Sequence, residues 1–492
     1  MSRAPAAAVA AVLLSVLVSP LGRELFVGDE TKYGEVVREM RAGAFFLPTL
    51  NGTPFTHKPP LHFWIVDLLT YPFGLYSIWP FVLPSLIAFA LLVALLWRMG
   101  GPLAAFVCAS SLMIWGSAQT ARMDVEFTLL LAYAAWRIAQ KDGALPLSAG
   151  IAAGVAFLIK GPMAPVIVLA LFFFEAWRRK RKPRANDFYA LLPMIVIPLL
   201  WLVPALIVGG EPFWREIFYK QTVGRAVGAW VHRSPPWFYL VRAPLTTLPW
   251  FFLLVAALVK LRRRFAWSWI LAVVVPYSLL SSKLDVYMIV LLPAVALGVA
   301  ELVQSGDVWV PRANALMLAL FAVIGIAGLF VQPSQLRGED AALVALPAVR
   351  ALFAILLAAA IVGLMVTWRG SAVASTIAVG FVPLVALTYA AAVLMPTINE
   401  LASTRPLVRA LASQPVPKEE IALYVCPYVW TRGMPPELAR ARQVDAKSLR
   451  AMQPRVIVTR RKNAQEIASS LRGFHKSGEL RMIGKWFDVY SR

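Results

Sequence analysis

The stretch LHFWIVDLLTYPFGLYSIW, residues 61–79, is long enough to cross a bilayer, and whether it crosses assigns every later loop to a side. It carries His62, Asp67 and the helix-breaking pair Tyr71-Pro72, and its aromatics recur as they do at a membrane interface. If it crossed, the basic clusters RRKRKPR (178–184) and KLRRR (260–264) would lie outside, against the preference of Lys and Arg for cytoplasmic loops. If it lies in the interface or re-enters, both clusters face the cytoplasm. The non-crossing reading is adopted.

Composition supports this frame. The chain has 492 residues, 59% of them hydrophobic, with a mean hydropathy of +0.68 and repeated runs of bilayer-spanning length. This is an all-α polytopic membrane protein, with an expected count of about thirteen transmembrane helices between Ala4–Leu21 and Ala372–Met395. The first run follows Arg3 and lacks a small-x-small cleavage site, so it reads as a retained anchor that starts in the cytoplasm. A net charge of +22 fits topogenic clusters and anionic headgroups better than nucleic acid. Cys108 sits in an apolar run and Cys426 in a distant polar region, so no disulfide framework is expected.

Two domains are expected: a transmembrane domain over 1–396, with a first outer loop at 22–79, and a small extracytoplasmic α/β domain over 397–492. In the first loop, Leu21 to Pro60 holds five basic and five acidic residues, a mixed element rather than a topogenic cluster. Tyr33, Val36, Val37 and Met40 recur at helical spacing and predict an amphipathic helix lying on the membrane. In the tail, IALYVC and RVIVTR read as strands, NAQEIASSLRGF as a helix and LRMIGKWFDVYS as one last strand. The tail has seventeen basic residues against eight acidic ones, but long domains translocate largely regardless of charge.

This topology gathers the reactive-looking polar groups on the outer face: Asp29-Glu30, His57-Lys58, Asp124, Lys160, Arg225, His232, and Lys283 with Tyr287. Each has a plainer reading. Asp29 and Glu30 can cap the helix that follows them, since carboxylates favour a helix N-terminus. Lys58 and Lys160 can be interfacial lysines whose stems lie in lipid. Asp124 can cap the next span or orient Lys58. Gly161-Pro162 breaks the helix after Lys160 and frees backbone groups to line a cavity. Ligand spacing gives a metal no support: there is no HExxH, the four histidines are scattered, and Glu126 of Asp124-x-Glu126 falls inside a span. With no P-loop or dinucleotide fingerprint, no cofactor is expected, and ATP-driven transport and redox chemistry are disfavoured.

GDETKYGEVVREM, NGTPFTHKPPLHFW, FLIKGP, HRSPPWFYL and SSKLDVYMIVLLP, in this order and spacing, resemble the bacterial protein O-mannosyltransferase and lipid A aminoarabinose transferase superfamily. The resemblance covers the chain to about Pro293 and implies a GT-C fold in the bacterial inner membrane, with the active site and tail facing the periplasm. It further implies a glycosyltransferase that takes sugar from a polyprenyl (undecaprenyl) phosphate, inverting the anomeric carbon. Asp29 would be the base, with Glu30 holding the acceptor or supporting the loop. Lys58, Lys160, Lys283, Tyr287 and Arg225 would meet the donor phosphate. His57, Asp124 and His232 would serve the acceptor or orient its neighbours. Related sequences usually carry a carboxylate where this chain has His57, which weakens any metal or acceptor contact there. The alternatives are a secondary transporter or lipid flippase, and a structural membrane subunit. No internal repeat supports the former, and the one-sided clustering is unexplained by the latter. The acceptor, whether lipid A, a protein hydroxyl or another lipid, is not specified by the residues.

The topology has a direct test. Reporter fusions after Arg181 are expected to read cytoplasmic, and fusions at Asn51 and the C-terminus extracytoplasmic. A cytoplasmic C-terminus would overturn the shared face of Asp29 and Lys160.

Overall fold

Glycine and proline punctuate the apolar helices and set where each one ends. The computed structural model describes residues 3–217, 234–260, 265–336 and 343–492. The chain opens with α1 (Ala4–Ser15) and α2 (Val18–Gly22), followed by α3 (Asp29–Glu39), the short hairpin β1 (Thr49–Leu50) and β2 (Thr53–Pro54), and α4 (Leu61–Phe73). Gly74, at φ +82°, ends α4, and its N–H bonds back to the Thr70 carbonyl at 2.8 Å. Next come α5 (Trp79–Ala109), α6 (Leu112–Ala118), α7 (Asp124–Gln140), α8 (Leu147–Lys160) and α9 (Met163–Arg178). The α8–α9 connection is Gly161-Pro162, with Gly161 at φ +94°, so the two helices pack side by side and Lys160 and Arg178 stand at opposite ends of α9. The remaining helices of the membrane part are α10 (Ala185–Phe188), α11 (Leu191–Arg215), α12 (Phe238–Thr246), α13 (Phe251–Lys260), α14 (Phe265–Leu279), α15 (Leu292–Gln304), α16 (Trp309–Phe330), α17 (Pro347–Arg369) and α18 (Ala372–Tyr389).

Among the described residues, seven helical stretches are long and apolar enough to cross a membrane, or eight if α12 and α13, bent by 118°, form one span. The expectation of about thirteen spans also counted α7, α8, α9 and α14, which are shorter, and read α5 as two runs. Those two runs, Pro80–Trp97 and Leu103–Gln119, meet at Gly101, whose φ of +79° breaks the helix before Pro102. Where α16 and α17 touch, a Cβ on Gly328 would sit 2.1 Å from Phe353, so small residues allow the close approach that helices in lipid need. Asn314 of α16 donates to Ser375 (2.8 Å) and Thr376 (3.1 Å) of α18, a polar link between two apolar helices.

Of residues 61–79 only Leu61–Phe73 form α4, a helix of 13 residues that is shorter than the roughly 20 a span needs. Its exposed face is apolar, with Ile65, Leu68, Tyr71 and Phe73 pointing away from the protein, while His62, Phe63, Val66 and Asp67 are buried. The expected membrane-lying helix at Tyr33, Val36, Val37 and Met40 needs correction. All four are buried in the protein core, where Tyr33 packs edge-on against Phe63 at 5.2 Å. The period predicted the helix correctly, but an apolar stripe does not say whether protein or lipid covers it.

The tail begins with α19 (Met395–Ala402) and α20 (Arg405–Ala412) and carries one five-stranded sheet. Its strands are β3 (Ile421–Tyr424), β4 (Arg442–Val444), β5 (Val456–Arg460), β6 (His475–Met482) and β7 (Lys485–Ser491), ordered β4-β3-β5-β7-β6. β3 runs parallel to β4 and β5, and β7 antiparallel to β5 and β6. The segment read as one last strand is a hairpin, because Ile483 and Gly484 take φ of +49° and +69° and reverse the chain. The helix expected over NAQEIASSLRGF is a short 3-10 stretch, Arg461–Ile467, followed by turns. The short β4 and the helix α21 (Ala446–Met452) were not foreseen.

The tail docks on the first loop. Gly433 N–H donates to the Tyr76 carbonyl (2.8 Å), Val27 N–H to that of Ala402 (2.8 Å), and Glu24 pairs with Arg405 at 2.5 Å. Trp430, buried, meets the Phe81 ring edge-on at 5.5 Å and lies against Gly34, where a Cβ would stand 2.8 Å from its ring. Gly34→Val is expected to lower stability by about 1–3 kcal/mol through overpacking. It should also expose the 397–404 connection to limited proteolysis, which the wild-type docking protects.

Candidate active site

Charged side chains converge where the start of α3 meets the start of α7 and the end of α8. Glu30 is the fixed point. Its carboxylate receives both guanidinium nitrogens of Arg23 (3.1 and 2.7 Å), the N–H of Phe26 (2.8 Å) and the N–H of Ala121 (2.8 Å), and it is buried with its partner. Arg23 also donates to the Gln119 carbonyl at 2.7 Å. This clamp ties the first loop to the segment before α7 and occupies the acceptor capacity of Glu30.

Asp29, one residue earlier, faces outward. Its side chain is 46% exposed, 4.0 Å from Lys32 and 3.7 Å from Arg122. The cap of α3 is Gly28, and Asp29 stands in the first turn, where a carboxylate suits the positive helix end. Arg122 links two carboxylates, since its Nε also donates to Asp124 at 3.1 Å. Asp124 is buried at the first position of α7 and is bound on its other oxygen by Lys160 Nζ. It makes no side-chain cap, and its ion pairs go to Arg122 and Lys160. The charge of Lys58 also acts on this carboxylate.

Lys160 Nζ lies 5.2 Å from the ring centre of Tyr287 and 5.5 Å from that of Phe127. Tyr287 stacks on Tyr277 at 4.9 Å and 19°, in the 3-10 stretch Asp285–Leu291. That stretch is held by a two-bond fork from Arg242 to Asp285 (2.8 and 2.5 Å). The structure therefore brings together Asp29, Asp124, Lys160 and Tyr287, with Lys58 in electrostatic reach. Lys283 is turned elsewhere: buried, it donates to the carbonyls of Ser234 (3.0 Å) and Leu280. His57 is exposed and meets the Phe55 ring edge-on at 5.2 Å. Arg225 and His232 lie outside the described residues.

Sequence reading missed Arg122 and the buried pair of His62 Nδ1 with Glu126 (3.0 and 3.1 Å). Glu126 was set aside as intramembrane, yet a buried carboxylate in a span is itself a signal that a partner exists. Arg122, in a loop with ordinary polar neighbours, carried no comparable mark. No group of three or more His, Cys, Asp or Glu side chains that could hold a metal occurs among the described residues. The site has cations on a rigid frame around an exposed carboxylate, an arrangement suited to an anionic ligand reacting beside a base.

The family model described as dolichyl-phosphate-mannose-protein mannosyltransferase matches residues 57–208, which hold His57, Lys58, Asp124 and Lys160. The undecaprenyl phosphate-alpha-4-amino-4-deoxy-L-arabinose arabinosyl transferase of Serratia proteamaculans is 28% identical over 368 residues, 66% of this chain and 65% of that protein. The transferase of the same name from Pseudomonas paraeruginosa is 29% identical over 358 residues, 64% of this chain and 63% of that protein. The matched region thus spans less than two thirds of these curated relatives. ArnT from Cupriavidus metallidurans, crystallised bound to undecaprenyl phosphate, superposes with a TM-score of 0.74 at 19% identity, covering 99% of this chain and 98% of that one. Its apo crystal structure gives 0.72, covering 98% and 97%.

Arg23→Met is expected to cost about 3–5 kcal/mol, because it strands the Glu30 carboxylate in a buried site. Thermal unfolding of the purified protein measures this, and adding Glu30→Gln should restore part of the loss. The match and the likenesses bear out the resemblance read from the sequence: the chain is a multi-pass membrane protein with the GT-C fold seen in ArnT.

Proposed function

We propose that this chain is a glycosyltransferase that moves a sugar from an undecaprenyl-phosphate donor to lipid A, with aminoarabinose as the sugar. The observation that carries the reading is the chain of contacts Asp29–Arg122–Asp124–Lys160, which sets a solvent-reachable carboxylate beside cations at the ends of membrane helices. A lipid-borne phosphate arrives at that depth, and a soluble nucleotide sugar has no need of it. The names of the Serratia and Pseudomonas relatives support the same donor.

In this reading the acceptor hydroxyl attacks the anomeric carbon from the face opposite the phosphate. The new C–O bond forms as the bond to the phosphate oxygen breaks, and configuration inverts. Asp29 takes the hydroxyl proton, held towards the site by Arg122. Lys160 and Lys58 receive the charge that develops on the departing phosphate, and Asp124 keeps Lys160 aimed before the donor binds. The stacked Tyr287 provides a rigid wall beside Lys160. Glu30 supports the loop, and Arg225, His232 and His57 complete the proposed set as phosphate or acceptor contacts, which Lys283 would join only by leaving the Ser234 and Leu280 carbonyls. The site and tail are proposed to face the periplasm from the inner membrane, so that the basic clusters near Arg178 and Lys260 lie in the cytoplasm.

Asp29→Asn keeps size and removes basicity. It should leave donor binding intact and lower transfer by roughly 10²–10⁴-fold, the usual contribution of a positioned base. Near-wild-type transfer by the folded variant would remove Asp29 from the mechanism. Lys160→Ala should weaken use of the donor by about 1.5–3 kcal/mol, the scale of a charge-assisted contact. Transfer from a nucleotide sugar with no lipid donor present would overturn the assignment.

A further inference from the structure

At the end of α9 away from Lys160 a second charged cluster surrounds Glu175, and the mechanism above makes no use of it. Glu175 is fully buried and accepts from Arg178 (2.8 Å), Arg179 (2.5 Å) and the Ser268 hydroxyl of α14 (2.9 Å), which fixes α9 against α14. Asp142 pairs with Arg179 at 3.2 Å and Asp187 with Arg181 at 2.9 Å. The segment RRKRKPR thus sets six cations against these three carboxylates, which leaves three over. Lys180, Lys182 and Arg184 are exposed and make no ion pair among the described residues.

Arg178 and Ser268 of this cluster also line a cavity of about 500 Å³ between α9, α13 and α14. Its other walls are mostly apolar, with Phe174 and Trp177 from α9, Leu258 from α13, and Trp267 and Leu271 from α14. Trp177 is exposed, as an indole at the boundary of a bilayer is. Trp267 differs: its indole N–H is buried and finds no acceptor among the described residues. An indole can only donate, and a buried donor left unmet is costly, so the missing partner is an oxygen of a ligand. Apolar walls, an unmet donor and an excess of cations at one helix end together describe a lipid and its headgroup phosphate.

We propose that this cavity holds one phospholipid with an anionic headgroup, its acyl chain along Phe174, Leu258 and Leu271 and its phosphate beside the Trp267 N–H and the cations of residues 178–184. A zwitterionic lipid would fill the apolar walls equally well, so the three uncompensated cations decide the headgroup. A second copy of the chain is a poorer occupant, since in a two-fold pair the cationic segment would meet itself. The site is separate from Asp29, Asp124 and Lys160 and does not depend on the donor or the acceptor.

The full-length protein, purified in detergent and stripped of lipid, tests this with phosphatidylglycerol and phosphatidylcholine as probes. Native mass spectrometry counts the lipid that stays bound. Wild type should hold one phosphatidylglycerol about tenfold more tightly than phosphatidylcholine. Replacing Lys180, Lys182 and Arg184 together by Gln should remove most of that preference, and Trp267→Phe should weaken phosphatidylglycerol by about fivefold through the loss of one hydrogen bond. Leu271→Trp, which fills the cavity, should lose the tightly held lipid altogether. The three Gln substitutions lie on the surface, so they keep the proposal falsifiable if Leu271→Trp does not fold. Equal retention of the two lipids by wild type would overturn the proposal, as would a preference for phosphatidylglycerol that survives the three Gln substitutions. Release of the lipid by millimolar inorganic phosphate would mark a free-anion site instead and reject the lipid. A dimer that Leu271→Trp converts to a monomer would assign the cavity to a second copy and reject it too.

Discussion

The buried ion pair between Asp124 and Lys160 is the constraint on which the site depends. Removing two charges from water at a helix end costs several kcal/mol per ion, and only tight pairing with further partners offsets it. Asp124 meets that cost with Lys160 on one oxygen and Arg122 on the other. In doing so it fixes α7 against α8 and sets Lys160 over Tyr287. Arg122 then extends the network to Asp29 on a different loop. A second buried clamp, Arg23 with Glu30, holds that loop in register with the same segment. The two adjacent carboxylates of GDET thus differ: Glu30 is buried and consumed by structure, while Asp29 stays exposed beside Lys32 and Arg122.

The tail belongs to this arrangement rather than hanging from it. Glu24, Tyr76 and Gly34 of the first loop and the segment after it each meet a tail residue, so the sheet domain braces the loop that carries Asp29. α4 contributes from beneath, with an exposed apolar face at Leu68, Tyr71 and Phe73. A loop held between lipid and a folded domain can keep a carboxylate in place at a boundary where an unsupported loop would fluctuate. At the other end of the bundle, Glu175 is buried under Arg178 (2.8 Å) and Arg179 (2.5 Å), so part of the cluster read as topogenic also closes the ends of helices.

Much of this was legible in the residues. Apolar runs, the short helix at residues 61–73, the α3 period and the motif order all pointed to the fold, because hydrophobic length and periodicity are local properties. The sequence also singled out Asp29, Asp124, Lys160 and Tyr287. It erred where a local pattern has two physical outcomes. The stripe at Tyr33, Val36 and Val37 could meet lipid or protein, and the segment 480–491 could be one strand or a hairpin.

By itself the sequence determined a polytopic helical membrane protein with a polar first loop, a small α/β tail and a set of charged residues able to serve phosphate and base chemistry. Only the tertiary structure separated Asp29 from Glu30, added Arg122 and the His62–Glu126 pair, and turned Lys283 onto backbone carbonyls. The reason is that a charge's partner is set by packing between segments far apart in the chain. Arg23 finds Gln119, and Tyr76 finds Gly433, across separations that no local pattern encodes.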